Sequence, residues 1–322
     1  MANPLRVLLA VHPQYKPDRA GIGSTEFDVW QALKKLGHNT QVMPLDEDFH
    51  VVERSLKDFQ PDIVFNLVEE FRGEAIYDFH LVSFLEASGI PFTGCNPRGL
   101  VVSRNKLWVA HLAEGLGLHV PRTGLHSDRS MMNSVSRTPL FVKYNREHAS
   151  LGISNGNRVT SRKDLANVLA RMRNKLNAEI LLQEFIPGTE VTVSVWGNRQ
   201  AEAFPPWQLH LGGDLAFATE RVKFSSTYRR KRGIRAGRYR GEIADELKKD
   251  SVTLFQALDL SGYARFDYRL SAEGVPYLID VNPNPNLSKN EDFATSSRSD
   301  GCEYAHLIEG ILKLGLSYRP KR

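Results

Sequence analysis

Cysteine is nearly absent: the 322 residues contain two, Cys95 and Cys302, far apart in the chain. That excludes a disulfide framework and shows no metal-type Cys spacing, so a reducing, cytoplasmic setting is expected. No apolar run approaches the ~20 residues that a membrane span needs. The opening Met1-Ala2-Asn3-Pro4 leads directly into an apolar strand rather than a secretory signal. Net charge is low, +5 from 42 basic and 37 acidic residues. So small an excess suits an anionic substrate or a nucleic-acid surface equally. Acids are missing from one place in particular, the run that begins Arg229-Arg230-Lys231-Arg232 and reaches Arg240. What remains, 41% hydrophobic and 25% charged, is ordinary for a globular protein, and the length allows two or three subdomains with sizeable cores.

The N-terminal third reads as α/β. Arg6 to Val11 is a short apolar strand. Phe27, Trp30, Leu33 and Leu36 recur at helical spacing and Gly37 stops the helix. Ser24 or Thr25 can cap it, Thr25 with Asp28 fitting the capping pattern. A second buried strand is Asp62 to Asn66, and a helix ending near Gly89 leads to Pro91-Phe92-Thr93-Gly94. Strands alternating with helices imply a parallel, Rossmann-like sheet whose ligand side lies at the strand C-termini, near Glu26, Asn66 and Glu69. Gly21 and Gly23 do not complete a dinucleotide fingerprint. A first-turn carboxylate such as Glu26 also simply favours the helix dipole.

The most informative stretch is Gly262 to Leu287, two alternating runs joined at Ser271-Ala272-Glu273-Gly274, a hairpin signature. Arg265 and Asp267 are two apart, and so are Asp280 and Asn282, so pairing can gather all four on one surface. Two carboxylates and an amide oxygen are hard ligands suited to Mg²⁺, with Mn²⁺ as the alternative. An adjacent Arg suits developing negative charge. An ordinary hairpin with one wet face shows the same alternation. Here, though, Asn282-Pro283-Asn284-Pro285-Asn286 halts the strand just past the candidate ligands.

Between these regions, Pro139 to Lys143 is a strand ending in a lysine, and a strand lysine facing inward is costly unless it meets an anion. A polar loop, Asn145 to Gly152, follows. Ser161 to Leu176 is a capped amphipathic helix. The strand from Glu179 stops at Ile186-Pro187-Gly188 and restarts as Val191 to Trp196. Such a hinge can present backbone edges to adenine under Ile186, and Glu190, just past it, can accept both ribose hydroxyls. Arg104-Asn105-Lys106 opens a further helix; a lone lysine there is more often surface. Residues 207 to 241 look irregular, and such a long stretch is usually functional or disordered. Glu242 to Leu258 and Tyr304 to Leu314 read as helices.

Taken in order, these motifs resemble ATP-grasp enzymes, most closely the D-alanine–D-alanine ligase group. The resemblance rests on Arg265-Phe266-Asp267 followed by Asp280-Val281-Asn282, on the hinge ending in Glu190, and on Ile90 to Gly94. It implies an ATP-grasp fold with an N-terminal domain (residues 1–103), a central subdomain (104–190) and a C-terminal subdomain with the metal site (191–322). It also implies an ADP-forming carboxylate–amine ligase acting through an acylphosphate on amino acids or small peptides. By the same resemblance, Lys106, Lys143 and Lys223 contact ATP phosphates, and Gln183, Glu184 and Ile186 contact adenine. Glu26 would hold the first substrate's amino group, Ser150 is the serine of the phosphate-loop pattern that survives as a catalytic candidate, and Arg265 would stabilise the tetrahedral intermediate. A homodimer is common in the group.

Several residues depart from the group's pattern. Asp280 replaces a bridging Glu. His148 and Ala149 replace a Gly and a Ser in the phosphate loop. Phe224 replaces a Tyr, and Glu291 stands about where a Ser binds the acceptor carboxylate. The departures at Ala149, Phe224 and Glu291 together point to a different or broader amino-acid or peptide substrate. Two other classes keep the nucleotide motifs: a phosphotransferase acting on a hydroxyl, and a non-catalytic nucleotide- or nucleic-acid-binding protein. No recognition motif accompanies the Arg229–Arg240 run, which reads first as a solvated or mobile basic loop near ATP.

Overall fold

The computed structural model describes residues 3–14, 24–45, 47–147, 153–176, 178–211, 217–218, 222 and 226–320. Three sheets organise them. The first is parallel, β2 (Asn39–Pro44), β1 (Arg6–Val11) and β3 (Ile63–Asn66) in that spatial order. β1 and β3 are apolar at nearly every position because both faces are covered, whereas the edge strand β2 buries only Met43. Val7, Leu9 and Val11 pack with α1 (Thr25–Lys35) and the final helix, while Leu8 and Ala10 face the opposite core with Val52 and Leu85. Ser24 caps α1 by accepting from the Phe27 amide. Thr25 and Asp28 do not form the alternative capping pair. The Thr25 hydroxyl donates to Asn286 Oδ1 at 2.8 Å, and Asp28 is buried, accepting the Lys289 amide at 3.0 Å.

After α2 (His50–Phe59), α3 (Phe79–Ala87) and α4 (Pro97–Arg104), α5 (Lys106–Gly115) leads into the second sheet. That sheet orders β4 (Thr123–Leu125), β7 (Ile180–Glu184), β5 (Leu140–Tyr144) and β6 (Arg158–Val159). Its outer face is covered by α6 (Arg129–Ser134) and α7 (Arg162–Lys175), through Met131, Leu165, Val168, Leu169 and Met172.

The third sheet runs β11 (Arg235–Arg238), β10 (Trp207–His210), β8 (Thr189–Gly197), β12 (Gly262–Leu270), β13 (Pro276–Pro283), with β9 (Ala201–Ala203) beside β8. Among the described residues of 207–241, β10, α8 (Ser226–Arg232) and β11 form regular elements that the composition does not suggest. Arg235-Ala236-Gly237-Arg238 shows no apolar alternation because it is an exposed edge, held by backbone pairing to β10 rather than by burial. Helix α9 (Ala244–Ala257) packs Leu247, Leu254 and Phe255 into the same core as β8 and β12. Helices α10 (Asp292–Ser299) and α11 (Tyr304–Ser317) close the chain.

Candidate functional site

The β12–β13 hairpin does what its alternation requires. Arg265 stands opposite Asn282 and Asp267 opposite Asp280. A bulge then places Ile279 outside the regular register, which frees its carbonyl from the ladder. That carbonyl accepts the Lys143 ammonium at 2.9 Å. On β12 the alternation extends one step further, to Arg269, so Arg265, Asp267 and Arg269 share a face.

A cavity of about 980 Å³ lies over this face, bounded by the second and third sheets and the loops of the first. Lys106 and Lys143 reach it from different elements. Asn145, at the end of β5, joins them: its backbone carbonyl accepts the Lys106 amide at 3.2 Å and its side chain bonds the Leu107 amide and Asn105. Both lysines are buried, 6% and 5% exposed. Lys106 donates to the Glu147 carbonyl at 2.6 Å and lies 3.5 Å from Asp280 Oδ2. Burial lowers its pKa against the pull of Asp280.

Arg265 is bidentate to Asp267 at 2.7 and 3.0 Å, and Asn282 Nδ2 donates to the same carboxylate at 3.0 Å. Burial opposes the charge of Arg265, yet Asp267 outweighs it and holds the guanidinium pKa up. Asp267, Asp280 and Asn282 thus converge. Among the described residues no cluster of three His, Cys, Asp or Glu side chains could hold a metal. The candidate set is two carboxylates plus an amide oxygen, which fits a hard cation that takes its other ligands from water and phosphate.

The far end of the cavity is apolar. Phe141 and Phe217 meet edge to face at 4.9 Å, with Phe185 at 6.4 and 6.0 Å from them, and Ile186 and Trp207 also line this end. Gly188, with φ +146, makes the hinge; a Cβ there would strike the Leu270 carbonyl. Arg269, 6% exposed, ties the hinge together. Its Nε donates to the Ile186 carbonyl at 2.6 Å, its Nη2 to the Gly188 carbonyl at 2.9 Å, and its Nη1 to Glu190 Oε1 at 2.9 Å. The same Glu190 oxygen accepts the Ala218 amide at 2.9 Å. Gln183 donates to Thr123 at 3.1 Å, and Gln183 and Glu184 both line the cavity.

The third wall is acidic. Glu69, Glu70 and Asp78 line it, with Arg104 ion-paired to Asp78. Glu69 keeps accessible surface and lines the cavity. Surrounding protein raises its pKa, and the nearby Glu26 charge raises it further. The loop after β13 sews this wall to the hairpin. Asn284, at φ +52, accepts the Cys95 amide at 2.7 Å, and Asn286 accepts from Thr25.

The structure therefore gathers Lys106, Lys143, Gln183, Glu184, Ile186, Glu190, Arg265, Asp267, Asp280 and Asn282 on one cavity. Glu26 stands beside that wall through Glu69 rather than on the cavity lining. Ser150, Lys223, His148, Ala149 and Phe224 lie outside the described residues. Arg269 and the Asp78–Arg104 pair escaped the sequence reading. Arg269 was legible in the period-two pattern that carries Arg265 and Asp267; the pair, joining the start of α3 to the end of α4, was not.

Two lysines, a carboxylate hairpin and an apolar slot thus share one cavity between two sheets. The sequence profile of the family described as D-ala D-ala ligase C-terminus matches residues 120–313. The chain belongs to that family, the D-alanine–D-alanine ligase-like group of ATP-dependent, ATP-grasp ligases. An uncharacterized protein of Sinorhizobium fredii, y4sG, is 28% identical over 291 residues, covering 87% of this chain and 84% of that one. A D-alanine–D-alanine ligase of Actinobacillus succinogenes is 28% identical over 299 residues, covering 89% and 91%. The D-alanine–D-alanine ligase of Bacillus anthracis, solved with ATP, superposes with a TM-score of 0.73 over 97% of both chains at 18% identity. No helix among the described residues is long and apolar enough to cross a membrane.

Proposed function

We propose that this protein joins the carboxylate of one amino acid or small peptide to an amine, converting ATP to ADP and phosphate through an acylphosphate. The observation that carries the reading is the meeting of Lys106 and Lys143 with Asp267, Asp280, Asn282 and Arg265 in one cavity. Adenine enters the slot of Phe141, Phe185 and Phe217, its edge meeting the backbone of Gln183 to Ile186. Glu190 receives the ribose hydroxyls. Arg269 fixes the hinge so that these groups are placed before ATP arrives, which avoids ordering costs on binding.

Lys106 and Lys143 hold the phosphates. Asp267, Asp280 and Asn282 would hold Mg²⁺, which when bound neutralises phosphate charge. Glu26 and Glu69 receive the ammonium of the donor, turning its carboxylate toward the lysines. Attack by that carboxylate oxygen on the terminal phosphorus releases ADP. Amine attack on the acyl carbon then forms the C–N bond and expels phosphate. Arg265 faces the oxyanion of that adduct. The three subdomains (1–103, 104–190 and 191–322) correspond to the donor wall, the nucleotide cover and the catalytic sheet, in a cytoplasmic enzyme.

The test is ADP and phosphate release with Mg-ATP across D- and L-amino acids and dipeptides, with mass spectrometry of the products. Release of both, with an amide product and loss of activity in Asp280→Ala, supports the ligase. ADP without phosphate would replace it with a phosphotransferase.

A further inference from the structure

The loop that leaves β13 brings Asn284, Asn286 and Asn290 to the cavity. The partners of the first two dictate which way their carboxamides point. A backbone N–H can only donate, so the end of a carboxamide that meets one is the oxygen. The Ser288 amide donates to Asn286 Oδ1 at 2.8 Å, closing a turn within the loop. The Cys95 amide donates to Asn284 Oδ1 at 2.7 Å. In both residues the NH2 group is the end left over.

Asn286 is held more firmly than its own turn requires. Its Oδ1 also accepts the Thr25 hydroxyl at 2.8 Å. Thr25 has one hydroxyl proton and gives it there, so the 2.9 Å contact between Thr25 and Ser288 uses the Ser288 proton. Two donors thus occupy the two lone pairs of Asn286 Oδ1, and the amide cannot turn over without losing both. Asn286 is exposed and lines the cavity, and among the described residues nothing accepts from its Nδ2. It stands where two walls meet. Thr25 directly precedes Glu26 in α1, and the same loop runs on through Asn290 and Glu291 into α10.

We infer that the Asn286 carboxamide binds a substrate oxygen, a carboxylate or carbonyl of the donor or the acceptor, through its NH2 group, with Thr25 as its positioning residue. This rests on the ligase reading. An amide N–H donates to a charged or a neutral oxygen alike, so this contact takes a free amino acid or an amide-bonded residue. An ammonium, which only donates, finds no partner in it.

One substitution separates binding from architecture. Asn286→Asp keeps the oxygen that accepts from Ser288 and Thr25, and aspartate serves such a turn as well as asparagine does. It changes the NH2 into a second oxygen. Hydroxylamine takes the acceptor's place and traps the acylphosphate as a hydroxamate, which reports the donor alone; amide formation with alanine or alaninamide reports the acceptor as well. Wild type is expected to form hydroxamate with ATP and a donor amino acid. Failure with every D- and L-amino acid would sink the ligase reading, and this inference with it. With wild type active, Asn286→Asp should keep a calorimetric Tm near wild type and lose kcat/KM by about tenfold or more, the scale of a hydrogen bond removed and its acceptor left facing another oxygen. A loss already present in the hydroxamate reaction assigns the bound oxygen to the donor, and a loss confined to amide formation assigns it to the acceptor. Thr25→Val, which releases the carboxamide to rotate, should raise KM for the same substrate, and Thr25→Ser should restore it. Wild-type kcat/KM for Asn286→Asp in both reactions would make Asn286 a turn residue and overturn the inference. Thr25→Val with an unchanged KM would overturn the positioning role.

Discussion

The two ends of the cavity are built on opposite electrostatic plans. At the end with the lysines and the hairpin, three cations have opposite partners within about hydrogen-bonding reach: Lys106 by Asp280, Arg265 on Asp267, Arg269 on Glu190. At the donor end, Glu69 lies near Glu26, Glu70 and Asp78, with Arg104 as the countercharge that lowers its pKa. The first end is assembled before any ligand arrives and suits a polyanion brought with its cation. The second holds a carboxylate that is costly to ionise, first through desolvation and then through repulsion from Glu26, and an incoming ammonium relieves that cost. Binding energy at one end comes from preorganisation, and at the other from relief of a cost set up in folding.

The most severe way to break the phosphate end is Asp280→Asn, which keeps the shape and removes the charge opposite Lys106. Amide formation, followed by ADP release, should fall about 10³-fold in kcat/KM, the scale of losing a preorganised charge at the reacting centre. A loss under tenfold would mean that the hairpin does not carry the chemistry. Next in size is Arg269→Met. It leaves Glu190 without its ion-pair partner and releases the Ile186 and Gly188 carbonyls, so urea unfolding should show a loss of about 3 kcal/mol. KM for ATP should rise more than kcat falls, because the hinge meets nucleotide in ground state and transition state alike. Adding Glu190→Gln should restore part of the stability and none of the ATP affinity.

A third change tests the hinge backbone without touching charge. Gly188 holds φ +146 against the Leu270 carbonyl, and Gly188→Ala should destabilise by about 2 kcal/mol, the usual scale of strain at such a position. A calorimetric Tm near wild type would show that the hinge can move away from β12, contrary to the tie made by Arg269.

How much of this the sequence displays follows the same division. The phosphate end is local: Arg265 to Asn282 is one hairpin, and period two places its residues without knowledge of anything else. The hinge is legible for the same reason, through Ile186-Pro187-Gly188 and Glu190. The Glu69 wall depends on contacts far apart in the chain. Arg104 finds Asp78 from 26 positions away, and Thr25 finds Asn286 from 261. No periodicity marks such pairs. β11 was hidden for another reason: an exposed edge strand full of Arg and Gly carries no burial pattern, and only the backbone of β10 makes it a strand.

The gentlest prediction sharpens the comparison most. If Glu69 is costly to ionise, Glu69→Gln should stabilise the ligand-free protein. The folded-state pKa of Glu69 lies above the ordinary 4.5. Below 4.5 the carboxyl is protonated folded or unfolded, and Gln gains nothing. As pH climbs through the raised folded value, the native carboxylate must ionise among Glu26, Asp78 and Glu70, and wild type loses stability that the variant keeps. The Tm difference should therefore be near zero at pH 4 and grow with pH, favouring the variant, with solvent screening at this exposed residue keeping it small. A donor amino acid should reverse the order, raising the wild-type Tm more than the variant's because only wild type has the charge that the ammonium neutralises. If Glu69→Gln instead lowered Tm at pH 8, Glu69 would be serving Arg104 as a structural partner, and the two ends would follow one plan.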